Sequence, residues 1–289
     1  MSRVRSSLPL LLAAVIWGFA FVAQRVGMEF VGPFTFNAVR FALGGLSLLP
    51  AAYFLRRAKP APRPRLLLGG GVLLGVVLFG GASLQQMGLV FTTAGKAGFI
   101  TGLYVVLTPL LGLLWRQKTS WNAWLGALLA VLGLYLLTVE GPLSIGRGDA
   151  LVLLGAFFWA GHVQLTGWLV QRLDALWLSV VQFAVCALLS AVVACLGEEV
   201  ALSGLQQAAA AILYGGLLSV GVAYTLQVVG QKNAPPALAA VLLSLETVFA
   251  ALGGWWLLGE MLSGRALWGC ACMFAGMLVS QVDWRGLKN

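Results

Sequence analysis

Glu246 lies near the middle of an apolar run at 236–258, and Tyr104 near the middle of another at 95–115. Trp17, Trp159 and His162, the chain's one histidine, are also central in theirs. An ionised carboxylate at the centre of a bilayer costs at least about 3 kcal/mol, so Glu246 must face a cavity, take a partner or hold a proton. It either binds a substrate ammonium or carries a coupling proton, or it accepts a hydrogen bond from a Trp or Tyr and ties helices together. His162, three residues after Trp159, suits a proton relay by residue type; the alternative is a packing residue with its hydrogen bonds met. Trp17, Trp159 and Tyr104 offer flat, rigid walls to apolar groups or to cations.

A second polar group gathers toward one end of the spans: Arg25, Arg40, Gln85, Gln86 and Lys96. Arg25 and Glu29, four apart, can pair along one helix face. Arg40, some six residues inside its span, either snorkels outward or binds a substrate carboxylate. Gln227 is the counterpart of Gln85 at the other end, where the two suit hinges or gates; interhelical hydrogen bonds explain them equally well.

The elements that hold these residues are read from composition. The 289 residues are 60% hydrophobic and 9% charged, against roughly 25% charged in soluble domains. Apolar stretches long enough to cross about 30 Å of hydrocarbon fall near 8–28, 34–55, 66–88, 95–115, 121–139, 150–171, 175–196, 208–230, 236–258 and 266–282. These ten expected transmembrane helices make an all-α integral membrane protein with short connections. The opening apolar run continues past Trp17 with no small-residue cleavage motif, which argues against a signal peptide.

The net charge of +9 is not a nucleic-acid signal, because the basic residues concentrate in alternate loops. With the N-terminus in the cytoplasm, the inner segments hold Arg3, Arg5, the basic run from Arg56 to Arg65, Arg116, Lys118, Arg172, Lys232, Arg285 and Lys288; the outer loops hold Arg147 and Arg265. This places both termini in the cytoplasm. Cys186, Cys195, Cys270 and Cys272 lie in spans at spacings that indicate neither a disulfide nor a metal site. Asp149, Asp174 and Asp283 are not mid-span, and no paired-carboxylate or metal motif is available for intramembrane catalysis, so no cofactor and no enzyme activity are expected.

The spans repeat. At a constant offset of 142, Ala14 and Trp17 meet Ala156 and Trp159; Phe41, Ala42 and Leu46 meet Phe183, Ala184 and Leu188; Gln85 and Gly88 meet Gln227 and Gly230. After a one-residue slip Gly126 and Gly133 meet Gly269 and Gly276. Five spans per half invert the second copy relative to the first, an arrangement found in secondary transporters. The expected units are 1–145 and 146–289.

A Trp midway along the first span of each half, Arg40 answered by Gln182, Phe99-Ile100-Thr101-Gly102-Leu103-Tyr104-Val105-Val106 with Pro109-Leu110, and Leu242-Leu243-Ser244-Leu245-Glu246 followed by Trp255 and Leu258-Gly259-Glu260 resemble EamA-type members of the drug/metabolite transporter superfamily. The resemblance covers essentially the whole chain. It implies a ten-helix bundle with an inverted 5+5 repeat and a central cavity that moves small metabolites, often amino acids, usually outward. Thr247 departs from the pattern, in which a Pro follows the Glu; without that Pro the ninth span is expected to be straighter, or bent by hydroxyl back-bonding. The function expected is a secondary transporter, an exporter of amino acids or similar small metabolites across a bacterial inner membrane by alternating access. Substrate-binding candidates are Glu246, Tyr104, Trp17, Trp159, His162, Arg40 and Gln85, with Glu246, His162 and Gln227 for gating or proton coupling. A channel, a non-transporting membrane protein or, last, an intramembrane enzyme are the alternatives. The partners expected are a small molecule and the lipid bilayer, with no nucleic acid, and the default state is a monomer.

Overall fold

Segments this apolar satisfy their backbone polar groups internally, and every regular element of the computed structural model is helical. It describes residues 2–54, 64–92, 94–139, 146–258, 261 and 263–281, without the side chains of 2–6, 94–96, 138, 254 and 258. The basic residues from Arg56 to Arg63, the Lys96 side chain, Glu260 and Asp283 therefore lie outside the described residues.

The helices are α1 (Ser2–Gly27), α2 (Pro33–Phe54), α3 (Pro64–Phe91), α4 (Ala94–Gly102), α5 (Tyr104–Leu114), α6 (Trp121–Thr138), α7 (Arg147–Leu169), α8 (Ala175–Gly197), α9 (Leu202–Gln207), α10 (Ala209–Leu213), a π-helical stretch (Tyr214–Tyr224), α11 (Thr225–Gln231), α12 (Pro236–Leu243), α13 (Glu246–Leu258) and α14 (Gly264–Gln281). Among the described residues seven stretches are long and apolar enough to cross a membrane: Ser7–Gly27, Pro64–Phe91, Ala97–Leu114, Arg147–Leu169, Ala175–Gly197, Ala209–Gln231 and Pro236–Leu257. Ten were expected. The difference is α2, which carries Asn37 and Arg40, α6, whose apolar part Trp121–Leu137 is shorter, and α14, which carries Arg265 and Gln281.

Two expected spans are broken at equivalent places. α4 gives way to α5 at Leu103, and α12 gives way to α13 at Ser244 and Leu245. Leu103 and Leu245 are 142 apart. At each break the backbone tightens to i→i−3 bonds, Leu103 N to Ile100 O at 3.2 Å and Leu245 N to Leu242 O at 3.4 Å. The ninth span is thus not straighter for lacking a Pro at 247. At the break the Ser244 hydroxyl donates back to Val241 O at 2.9 Å, a bond that accompanies helix bending.

Matched helices pack on one another head to tail. The α2 start lies against the α8 end, where Phe34 N, Thr35 N and the Thr35 hydroxyl donate to the Glu198 carboxylate at 2.7–2.8 Å; further along, Gly45 faces Phe183. In the α6–α14 pair Gly126 abuts Gly276 and Gly133 abuts Gly269. Other contacts are images of one another at the same offset: α3 lies on α7 as α1 lies on the π stretch and α11, and α5 on α7 as α13 on α1. Ser7 donates to Gln281 Oε1 at 3.0 Å, so α1 begins and α14 ends at one end of the bundle, here called the terminal end.

Candidate substrate-binding site

Between the halves lies a cavity that residues of both halves line. α1 supplies Trp17, Phe21 and Gln24; α2 Arg40; α3 Gln85; α4 and α5 Thr101 and Tyr104. The second half supplies Trp159 and Val163, Ser219 and Tyr224 from the π stretch, Gln227, Leu243 and Glu246. Toward the terminal end the space is filled by a core that includes Leu10, Ala13, Leu238, Ala239, Ala240, Leu242 and Leu243, backed by Leu107, Leu111 and Met277.

The broken helices set the two polar mid-span residues opposite each other. Tyr104 is the first residue of α5 and Glu246 the first of α13. The Tyr104 hydroxyl lies close enough to the Glu246 carboxylate to interact with it, so the repeat mates meet across the interface. A carboxylate in the first turn of a helix also sits at the favourable end of the helix dipole. Gly18 lets α1 approach: a Cβ there would stand 2.8 Å from Glu246 O, and the approach brings Trp17 beside the carboxylate's helix.

Arg40 does not snorkel. It is 3% exposed, its Nε donates to Asn37 Oδ1 at 2.9 Å, and its guanidinium carbon lies 4.9 Å from the Phe41 ring and 5.5 Å from that of Phe36. Among the described residues neither Arg40 nor the 7%-exposed Glu246 has an ion-pair partner. Two unpaired ionisable groups of opposite sign thus share one cavity, a costly arrangement unless an occupant or a proton answers them.

Tyr224 is the residue that sequence reasoning missed. Its ring lies 4.6 Å from that of Trp17 and 6.3 Å from that of Trp159, nearly parallel to the latter at 27°, with Phe41, His162 and Phe183 at 5.7–6.0 Å. It interacts electrostatically with both Arg40 and Glu246. At offset 142 its counterpart is Ala82, so repeat matching passes over it; its position one turn before Gln227 was the available signal. Ser219, Thr101, Gln24 and Phe21 were missed for the same want of a distinctive partner.

His162 is placed differently from the expectation for a binding residue. At 1% exposure it stands behind the wall, its Nε2 2.8 Å from Gln182 Oε1 and its ring edge-on to Trp159 and Tyr224. Gln85 and Gln227, expected at opposite ends, line the same cavity; Gln85 donates to Thr101 Oγ1 at 3.3 Å and Gln227 Oε1 is unpartnered. The four cysteines are free, and among the described residues no group of three or more His, Cys, Asp or Glu comes together.

Residues 5–139 and 146–281 each match the EamA-like transporter family. An uncharacterized transporter of Archaeoglobus fulgidus is 30% identical over 96% of this chain and 86% of its own. Uncharacterized transporter YwfM of Bacillus subtilis is 28% identical over 98% and 96%, and uncharacterized inner membrane transporter YedA of Escherichia coli 29% over 90% and 87%. One crystal structure superposes over 99% of both chains with a TM-score of 0.79 at 21% identity and shares the fold. A family matched once in each half, and relatives that are transporters rather than enzymes, leave one conclusion: the chain belongs to the EamA-like transporter family and is a multi-pass membrane transporter.

Proposed function

We propose that the protein is a secondary transporter that exports amino acids or similar small zwitterionic metabolites by alternating access, through ten spans arranged as inverted five-helix units, 1–145 and 146–289. The observation that carries this reading is the unpaired Arg40 and Glu246 in one aromatic-walled cavity. A zwitterion answers both: its carboxylate takes the free fork of the Arg40 guanidinium, and its ammonium takes Glu246 beside the Tyr104 hydroxyl. Its apolar part lies among Trp17, Trp159 and Tyr224. Gln85 and Gln227 supply neutral hydrogen bonds at the two sides of the occupant. When the cavity empties, Glu246 takes up a proton, which couples transport to the proton gradient. The family matches and the head-to-tail packing of matched helices support the repeat; the loop charges support cytoplasmic termini in an inner membrane. The proposed unit is a monomer, since ten spans can close a bundle alone.

Counterflow tests it. Proteoliposomes loaded with a mixture of labelled amino acids should release some of them faster when the same unlabelled amino acid is added outside. Arg40→Gln and Glu246→Gln should each reduce that exchange at least tenfold. Normal exchange in both variants would remove the zwitterion reading.

A further inference from the structure

The two cavity tryptophans are equivalent in sequence and differ in what they bond. Trp17 Nε1 donates to Ser219 O at 3.1 Å, a carbonyl within the π-helical stretch. The equivalent acceptor for Trp159 is the carbonyl of Val77, 142 residues before Ser219. Trp159 does lie on that part of α3: a Cβ on Gly81 would stand 3.2 Å from its indole, and one on Gly161 would stand 4.0 Å from the Val77 side chain. Yet Trp159 Nε1 is buried and has no hydrogen-bond partner among the described residues. The difference follows the winding of the facing helix. α3 is α-helical throughout 64–91, whereas its counterpart is π-helical over Tyr214–Tyr224.

An α-helical carbonyl is held by the amide four residues on. Wider winding lets a carbonyl tilt out of the ladder toward a side chain that inserts there. Local π winding is costly, so an added donor is what holds it. The inverted halves also differ in filling: the space toward the terminal end is closed by the core around Leu238 to Leu243, and the cavity lies beyond it.

We infer that the π winding is a state marker that moves between the repeats: in the oppositely open state α3 takes up the π form around Val77, Trp159 bonds the Val77 carbonyl, and the Tyr214–Tyr224 stretch rewinds as α-helix while Trp17 loses its bond. Exchange of conformations between two inverted copies turns a cavity closed at one end into one closed at the other, at similar energy because the same contacts reappear with the roles reversed. This rests on the alternating-access reading, and it adds which hydrogen bond belongs to which state.

The test uses the full chain, with its four cysteines replaced by alanine, reconstituted in liposomes and carrying one reporter, Gln24→Cys in the cavity or Leu238→Cys in the closed core. Labelling by a membrane-impermeant maleimide from either side reads access. Trp17→Phe keeps the ring and removes the donor that holds the present state; it should lower labelling at residue 24 relative to 238 about fivefold, the weight of one hydrogen bond. Trp159→Phe, which removes the donor of the other state, should move the ratio the opposite way or leave it unchanged. If Trp17→Phe labels like its parent, or if both variants shift the ratio in the same direction, the exchange is overturned. Opposite shifts in a protein that gives no counterflow would uphold the exchange and remove the transport reading.

Discussion

A methyl group at residue 133 probes the joint between the halves. Built on Gly133, a Cβ would lie 2.5 Å from Gly269 O, 2.5 Å from Met273 Cγ and 2.9 Å from Met273 N. Two of these are backbone atoms, so no rotamer relieves them; α6 and α14 must part by nearly 1 Å, and a gap of that size forfeits a quarter to a half of each dispersion contact along the pair. Overpacking of this kind costs about 3 kcal/mol at its upper end, and the better helix propensity of Ala returns about 1, leaving about 2 kcal/mol. For a chain of this length that is a fall of roughly 4–8 °C in melting temperature. The structure also dictates a second value. The pair Gly126–Gly276 maps onto Gly269–Gly133 when the halves are exchanged, and a Cβ on Gly276 would meet Gly126 O at 2.6 Å and Ala130 N at 3.2 Å, the image of the first clash. Gly133→Ala and Gly276→Ala should therefore melt low together, measured by tryptophan fluorescence in detergent, while Gly69→Ala, with open space around it, should melt at or above the parent. If Gly133→Ala melts within 1 °C of Gly69→Ala, the close approach of α6 and α14 is wrong.

Arg40→Lys keeps the charge and loses the planar fork, and should raise the substrate KM in counterflow roughly tenfold with a smaller change in maximal rate. Tyr224→Phe should retain the aromatic packing with Trp17 and Phe183 and so the melting temperature within about 2 °C, while Tyr224→Ala should lose about 3 kcal/mol or more of stability. Glu198→Ala removes the acceptor of Phe34 N, Thr35 N and the Thr35 hydroxyl, and a melt lowered by about 1–2 kcal/mol is the expected outcome. Thr247→Pro should be neutral: Thr247 is the second residue of α13, where Pro is tolerated, and its amide makes only a 3.2 Å bond to Ser244 O. A loss above 2 kcal/mol would show that this amide matters more than its geometry implies.

How much of this was legible in the sequence depended on whether a residue had a counterpart. Trp17 with Trp159, Gln85 with Gln227, and the glycines of α6 and α14 announce themselves because unlike side chains recur at one spacing, and all are found at the interface of the halves. Glu246 and Arg40 were legible by cost: an ionisable group deep in an apolar run has few allowed surroundings. Tyr224 had neither signal, being an ordinary aromatic paired with Ala82. For His162 residue type suggested a proton relay or a packing residue, and the sequence did not show that neutral Gln182 would stand at hydrogen-bond distance from it. The helix breaks were hidden for another reason. Hydropathy sees through them, since Leu103 and Leu245 are as apolar as the helices they interrupt, and the Ser244 bond at the second break is a three-residue local choice with no period.

Those breaks explain why the most symmetric feature of the chain produces its most asymmetric chemistry. Each half offers one helix start at the bundle centre, and each start carries one polar residue, Tyr104 in the first half and Glu246 in the second. Had both been carboxylates, two like charges would face each other in a low-dielectric interior, and one would have to stay protonated. Had both been tyrosines, nothing would oppose Arg40 or greet a cation. One of each sets a hydroxyl that can donate beside a carboxylate that can accept. The halves also contribute unequally to the cavity, because Arg40 lines it and its counterpart Gln182 does not.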